Sequence, residues 1–120
     1  MPKILTAKEF QREVKTGLRN FTNVTIEGDV FLAGRRLKGN LNLRRSTVKG
    51  EFHFEKGRIS GDLDLGETSI EGNLHLEYSR ISGALDLTGC RVRGMLNRSA
   101  SIVKGKEIIV DVQSRAYLRP

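Results

Sequence analysis

Two histidines stand 22 residues apart in the same local setting, His53-Phe-Glu55 and His75-Leu-Glu77. Imidazole and carboxylate are both ligands for divalent metals, so two such pairs brought onto one patch could hold an ion through His53, Glu55, His75 and Glu77. The plain alternative is a solvated sheet face, where a metal would find little behind its ligands to hold them in place. A second set is acidic. Asp62, Asp64 and Asp86, with Glu67 nearby, supply oxygen ligands of the kind calcium takes, although the Gly-Gly-x-Gly-x-Asp pattern is absent. A third set is basic: Arg35, Arg36, Lys38, Arg44, Arg45 and Lys49, with no acid between residues 30 and 50. Such a cluster could bind nucleic acid or an anionic surface. Only Phe31 is close enough to stack on a base, so a partner-docking or solubilising patch is the plainer reading. Arg36, Arg58 and Arg80 also recur at 22 residues. If they stack they repel, and Glu55 and Glu77 are near enough in sequence to be expected as their counter-ions. Cys90 reads as a small packed residue. No nucleophile–base constellation, phosphate loop or metalloprotease pattern occurs, so no catalytic residue, enzyme activity or cofactor is expected.

What could bring such residues together is a repeat. Written in elevens from Ile26, the chain reads IEGDVFLAGRR, LKGNLNLRRST, VKGEFHFEKGR, ISGDLDLGETS, IEGNLHLEYSR, ISGALDLTGCR, VRGMLNRSASI and VKGKEIIVDVQ. The first slot is always Ile, Leu or Val, and the third is glycine in every unit, from Gly28 to Gly105. Through Leu87, slots five and seven are apolar as well. Slots one, three, five and seven thus alternate with polar slots, the period of a strand with one buried face. Glycine in the third slot is expected on the inward side, where the wall bends or meets other backbone closely. Slots nine to eleven, rich in Gly, Ser, Thr and Arg, read as a corner. One such unit cannot offset the conformational entropy of its own ordering, so neighbouring units must stack.

The outward slots set the coil. Slot six runs Phe31, Asn42, His53, Asp64, His75, Asp86, Asn97, so like residues return every 22 and not every 11. Side chains that stack tend to be alike, which predicts a 22-residue coil of two units and two faces, one carrying His and Glu and the other Asn and Asp. The fold class is therefore all-β: a single-stranded β-helix (β-solenoid) of eight 11-residue repeats spanning 26–113, in about four coils. Residues 1–25 are expected to form a capping α-helix and lead-in, and 114–120 a C-terminal tail. Thr6 reads as an N-cap with Glu9 three residues on; Ala7, Phe10, Val14 and Leu18 share one face, and Gly17 can end the helix. Near the other end, Arg98 takes a slot-seven position and Glu107 a slot-five position, and the run Ile108–Val112 reads as a last strand, either a cap or a sticky edge.

Composition agrees with a repeat architecture. The chain has 120 residues, 38% apolar, with five Phe, two Tyr, no Trp and 13 Gly, lean for a core that side chains enter from all directions. The net charge of +7 is uneven: 13 Lys/Arg against six Asp/Glu in residues 1–58, two against six in 59–91, and six against two in 92–120. A uniform nucleic-acid coat would not alternate in this way. One cysteine excludes an internal disulfide and any multi-thiolate metal site. No leader and no membrane-length apolar run is visible, so a soluble cytoplasmic chain is expected.

The segments Gly61-Asp-Leu-Asp-Leu65 and Gly83-Ala-Leu-Asp-Leu87, with the leader Thr6–Phe10 followed by Gly17-Leu-Arg-Asn-Phe21, make the chain resemble pentapeptide-repeat β-helical proteins. The period differs, being five residues in that family. The glycine-rich repeats are also similar to those of bactofilins, polymer-forming β-helical proteins. Both resemblances imply a scaffold and carry no catalytic residue. Some pentapeptide-repeat proteins mimic DNA with an acidic surface, a role that this basic chain does not fit. The leading expectation is a non-enzymatic structural or protein-interaction scaffold, presenting flat sheet faces to a protein partner or to itself, with self-association through Ile108–Val112. The alternatives are a nucleic-acid-associated module using the Arg35–Lys49 patch and a metal-binding protein using the His/Glu cluster.

Overall fold

The structure, a computed structural model, describes residues 3–120. It is a parallel β-solenoid with 22 residues per coil: Thr25 pairs with Thr47, Thr47 with Ser69, Ser69 with Arg91 and Arg91 with Gln113. The stack makes about five turns, one more than the repeat count predicts, because strands outside the eight units join it. Lys3–Thr6 pairs with Val24–Glu27 below the first unit, and Gln113–Leu118 pairs with Arg91–Asn97 above the last.

Each coil has four sides where two were expected. Most units bend at their glycine and contribute two short strands, one at slots eleven and one, the other at slots five and six; in the seventh the two are joined in one strand, Arg91–Asn97. Four ladders result. The first stacks Val24–Glu27, Thr47–Val48, Ser69–Ile70 and the start of Arg91–Asn97. The second stacks Val30–Phe31, Phe52–His53, Leu74–His75 and the end of Arg91–Asn97. The third stacks Arg36–Leu37, Arg58–Ile59, Arg80–Ile81 and Ile102–Val103. The fourth stacks Leu41–Asn42, Leu63–Asp64, Leu85–Asp86 and Glu107–Ile108.

The glycines lie at the bends, half-buried or exposed, and not on the inner wall. Close approach is what requires them there. A Cβ on Gly83 would stand 2.7 Å from the carbonyl carbon of Gly61, and the Gly83 N–H donates to the Gly61 carbonyl at 2.9 Å. Bends thus stack glycine on glycine, the only residue whose backbone can come so near another.

The other two corners use a different device. Slot nine adopts the left-handed region in every turn, with φ between 53° and 71° at Asn23, Gly34, Arg45, Lys56, Glu67, Tyr78, Gly89, Ala100 and Asp111. Only two of these are glycine. The slot-ten N–H then donates back to the slot-seven carbonyl, as Thr68 does to Leu65 at 3.2 Å and Cys90 to Leu87 at 3.0 Å. A β-turn with positive φ at its third residue is the type II pattern. It turns slot ten inward, so the core is built from slots one, five, seven and ten: Ile59, Leu63, Leu65 and Thr68 are each at most 1% exposed. Slot ten holds small residues there, Ser46, Gly57, Thr68, Ser79 and Cys90, all buried. Burial lifts the Cys90 thiol to about 12, so it packs as a protonated small residue.

The first coil is covered by the helix Ala7–Thr16. Thr6 caps it in a capping box with Glu9, and Gly17 ends it at φ 115°. Phe10 and Val14 are buried, Ala7 is half-buried, and Phe10 meets Phe21 edge-on with ring centres 4.6 Å apart. Leu18 is 45% exposed, off the expected face, because the chain leaves the helix at Gly17. At the other end the buried layer turns polar: Arg98, 2% exposed in an inward slot, pairs with Glu107 and donates to Tyr117 Oη at 2.8 Å. Among the described residues no helix is long and apolar enough to cross a membrane.

Candidate functional site

Fixed backbone register turns sequence periodicity into columns of side chains. On the second ladder, slot six places Phe31, His53 and His75 in one column. The rings stack: Phe31 and His53 have centroids 5.0 Å apart and planes 9° apart, His53 and His75 centroids 4.5 Å apart and planes 6° apart. Two residues on, Glu55 and Glu77 point the same way. Glu55 Oε2 lies 3.0 Å from His53 Nδ1, and Glu77 Oε2 lies 3.3 Å from His75 Nδ1. Asn97, next in the column, donates to Glu77 Oε2 at 2.9 Å. All four residues of the predicted cluster are therefore brought together.

A fifth residue joins them that the repeat pattern did not single out. Glu51, in slot four, places Oε1 3.0 Å from His75 Nε2 and 3.5 Å from His53 Nε2. The alternation of Glu51, His53 and Glu55 along one strand direction was the available signal; the matching position one coil on is Asn73, so the 22-residue comparison passed over it. Burial disfavours the charged form of His75, but hydrogen bonds to Glu51 and Glu77 outweigh it and hold its pKa above the ordinary value. Burial pushes the Glu55 carboxyl up, and its own backbone N–H and the His53 ring overcome this and hold it below the usual range. The second oxygens of both carboxylates, Glu55 Oε1 and Glu77 Oε1, are buried without a hydrogen-bond partner.

The acidic set lies across the coil, and the structure spends it on stacking. Asp62 Oδ1 accepts the Ala84 N–H at 2.7 Å, as Asn40 Oδ1 accepts the Asp62 N–H at 2.8 Å and Asn73 Oδ1 the Met95 N–H at 2.8 Å. Slot four is thus a side-chain clamp on the coil above. In slot six, Asp64 and Asp86 accept the N–H two residues on, at 2.9 Å each, an Asx-type turn into the corner. Arg44 sits between them, with Nη1 3.0 Å from Asp64 and 3.2 Å from Asp86. Burial raises the Asp86 pKa, but the Thr88 hydrogen bonds and Arg44 bring it below the usual carboxylate range. Glu67 pairs with Arg45 at 2.9 Å. Asp64 and Asp86 thus converge on Arg44, while Asp62 and Glu67 meet other protein groups.

The basic cluster is dispersed by the same geometry. Arg44 and Arg45 are neutralised, Lys49 lies exposed on the first ladder, and Arg35 lies at a corner near the helix. Arg36 and Lys38 instead join residues from later coils on the third ladder. Arg36, Arg58 and Arg80 stand in one column in register. The expected pairing with Glu55 and Glu77 does not form, because the left-handed corner at slot nine lies between and turns those carboxylates toward the histidines. Among the described residues none of the three arginines has an ion-pair partner. They flank an open groove of about 380 Å³ together with Lys38, Lys104, Ser60 and Ser82, and no acid lines it.

The run Ile108–Val112 is not one strand. Glu107–Ile108 pairs with Leu85–Asp86, the chain turns at Asp111 with φ 54°, and the outermost edge is Gln113–Leu118. Asp111 occupies the corner slot, so the apolar run follows the repeat round the bend. Ile109 and Val110 are left exposed, at 36% and 50%. No family model, curated protein or solved structure matches the chain.

Proposed function

We propose that the chain is a non-enzymatic interaction scaffold that docks an acidic segment of a partner protein along its third ladder. The observation that carries this reading is the groove of five cations, Arg36, Arg58, Arg80, Lys38 and Lys104, with no acid among its lining residues. Three arginines elsewhere, Arg44, Arg45 and Arg98, meet carboxylates. Here stacked side chains of like charge are held about 4.8 Å apart by the ladder spacing. A row of anions laid along the groove relieves that repulsion, and the stiffness of the stack lowers the ordering cost of binding. No aromatic ring lines the groove, so it lacks the stacking platform that single-stranded nucleic acid uses. That favours carboxylates over bases.

The test is fluorescence anisotropy of a labelled Glu/Asp-rich peptide against the wild-type chain, Arg58→Glu/Arg80→Glu, and the helix-face control Lys8→Glu/Lys15→Glu. The double groove variant is expected to weaken binding at least tenfold, the control by less than twofold, and wild-type affinity should fall as salt rises. Equal loss in both variants would reduce the effect to net charge. Tighter binding of a single-stranded oligonucleotide of equal length, with the same variant dependence, would replace the acidic peptide with nucleic acid.

A further inference from the structure

The second ladder holds its two imidazoles in a particular tautomeric arrangement. His53 Nδ1 is 3.0 Å from Glu55 Oε2 and His75 Nδ1 is 3.3 Å from Glu77 Oε2. A carboxylate at that distance takes the Nδ1 proton as a hydrogen bond, which leaves the lone pair of the neutral ring on Nε2. The same carboxylate–histidine pairing stands behind most metal-bound histidines, fixing ring orientation and raising ligand basicity. Here it occurs twice, in register, on adjacent coils. Both Nε2 atoms lie on one edge of the stack, and Glu51 Oε1 approaches both of them, at 3.0 and 3.5 Å.

We propose that His53 Nε2, His75 Nε2 and Glu51 form a binding site for a divalent transition metal of the zinc class, with Glu55 and Glu77 as its orienting residues. Two imidazoles and one carboxylate, with the remaining position open to water, are a donor set such ions accept. The three donor atoms already lie within 4.8 Å of one another. Zinc at about 2.0–2.2 Å from each ligand needs them about 3.4 Å apart. Glu51 Oε1 already stands at about that spacing from both nitrogens, at 3.0 and 3.5 Å, so what remains is a tilt of the two ring edges toward each other, within the reach of χ2 rotation, whose well is broad for histidine. Without the metal, His75 Nε2 and Glu51 Oε1 stand at hydrogen-bond distance, 3.0 Å. Glu55, His75 and Glu77 also come within 4.8 Å of one another, but that arrangement offers one nitrogen and would use the Nδ1 atom already bonded to Glu77. The division of the five residues into three ligands and two orienting groups is what separates this site from a general His/Glu cluster.

The test uses the tag-free full chain, titrated with Zn²⁺ by calorimetry and with Co²⁺ by visible absorption. One equivalent of each metal is expected to bind, with Co²⁺ developing ligand-field bands. Glu51→Gln should weaken binding at least tenfold, and His53→Ala and His75→Ala should each abolish it. Glu77→Gln, which touches no metal, should weaken it by about 10–100-fold while the Co²⁺ band positions stay in place. Circular dichroism of each apo variant confirms the fold; Glu51 is part-exposed, at 39% of its side chain, so its variant keeps the test valid if a histidine variant unfolds. Absence of saturable uptake by the wild-type chain overturns the proposal. So does undiminished uptake by Glu51→Gln, which would move the ligands to Glu55, His75 and Glu77.

Discussion

At the scale of single residues, the polar side chains of this solenoid divide into those that clamp the coils and those left to face outward. Asp86 belongs to the first kind. Its Oδ1 accepts the Thr88 N–H at 2.9 Å, and its Oδ2 meets Arg44 at 3.2 Å. Asn42 and Asn97 occupy the same slot and make the same turn bond, at 2.9 and 3.0 Å, with an amide oxygen. Asp86→Asn therefore keeps the turn and removes only the charge. The native pKa of Asp86 lies below the ordinary value of 3.8. Its contribution to stability is thus present above pH 3.8 and is lost as pH falls through the native pKa. Asp86→Asn is expected to cost about 0.5–1 kcal/mol at pH 7, the range of a partly exposed ion pair. The gap from wild type should close as urea unfolding is repeated from pH 5 down to pH 2. A gap that stays constant with pH would show that the charge of Asp86 does no more than its turn.

At the scale of elements, the corner is the least obvious part of the design. Seven of the nine left-handed slot-nine residues carry a side chain, among them Lys56 at φ 59° and Tyr78 at φ 58°. An L-residue pays about 1–2 kcal/mol for this conformation relative to the right-handed one. Lys56 is exposed, and its N–H donates to the Glu77 carbonyl at 2.9 Å, a bond that any residue except proline can keep. Lys56→Gly should therefore stabilise the chain by up to about 1 kcal/mol, while Lys56→Val, β-branched and worse in this region, should destabilise it by about 1 kcal/mol. Urea midpoints of the two variants decide it, and a glycine variant less stable than the valine variant refutes the account. The same corner explains what the sequence withheld. Glycine at Gly34 and Gly89 alone does not mark slot nine as left-handed when Arg45, Lys56 and Glu67 fill it elsewhere. Without that turn, Ser46 and Thr68 read only as corner residues although they are core, and Glu55 reads as a partner for Arg58 although the corner turns it to His53. The capping box at Thr6 and Glu9, by contrast, was legible because its signal is complete within four residues.

At the scale of the whole molecule, two periods coexist, and they make separable demands. Inward slots repeat every 11 residues, so apolar packing alone would accept a shift by one unit. Outward columns repeat every 22, and this is why like residues spaced at 22 make the coil, the His53–His75 stack and the Arg36–Arg58–Arg80 column legible in the sequence. The number of turns was less legible, since Lys3–Thr6 and Gln113–Leu118 join the stack with sequences that do not carry the repeat. In solenoids, stability is a sum of unit terms and nearest-neighbour interfaces, so deletions can weigh the two periods against each other. Removing residues 59–80 takes out one coil. Ile81 then stacks on Leu37, Leu85 on Leu41, and Asp86 comes back beside Arg44. Removing only residues 70–80 takes out half a coil. Every later residue then moves to the opposite side: Asp86 lands on His53 and Asn97 on Asp64, so the columns no longer match like with like. If core burial governs, the shorter deletion is the more stable, because it sacrifices half as much apolar surface. The outward columns and their clamps predict the reverse. The 22-residue deletion should unfold in one cooperative transition, with a Tm at least about 5 °C above that of the 11-residue deletion, the shift that roughly 1 kcal/mol produces in a domain of this size. A higher Tm for the 11-residue deletion would mean that the side-chain columns ornament a coil which the apolar slots alone determine.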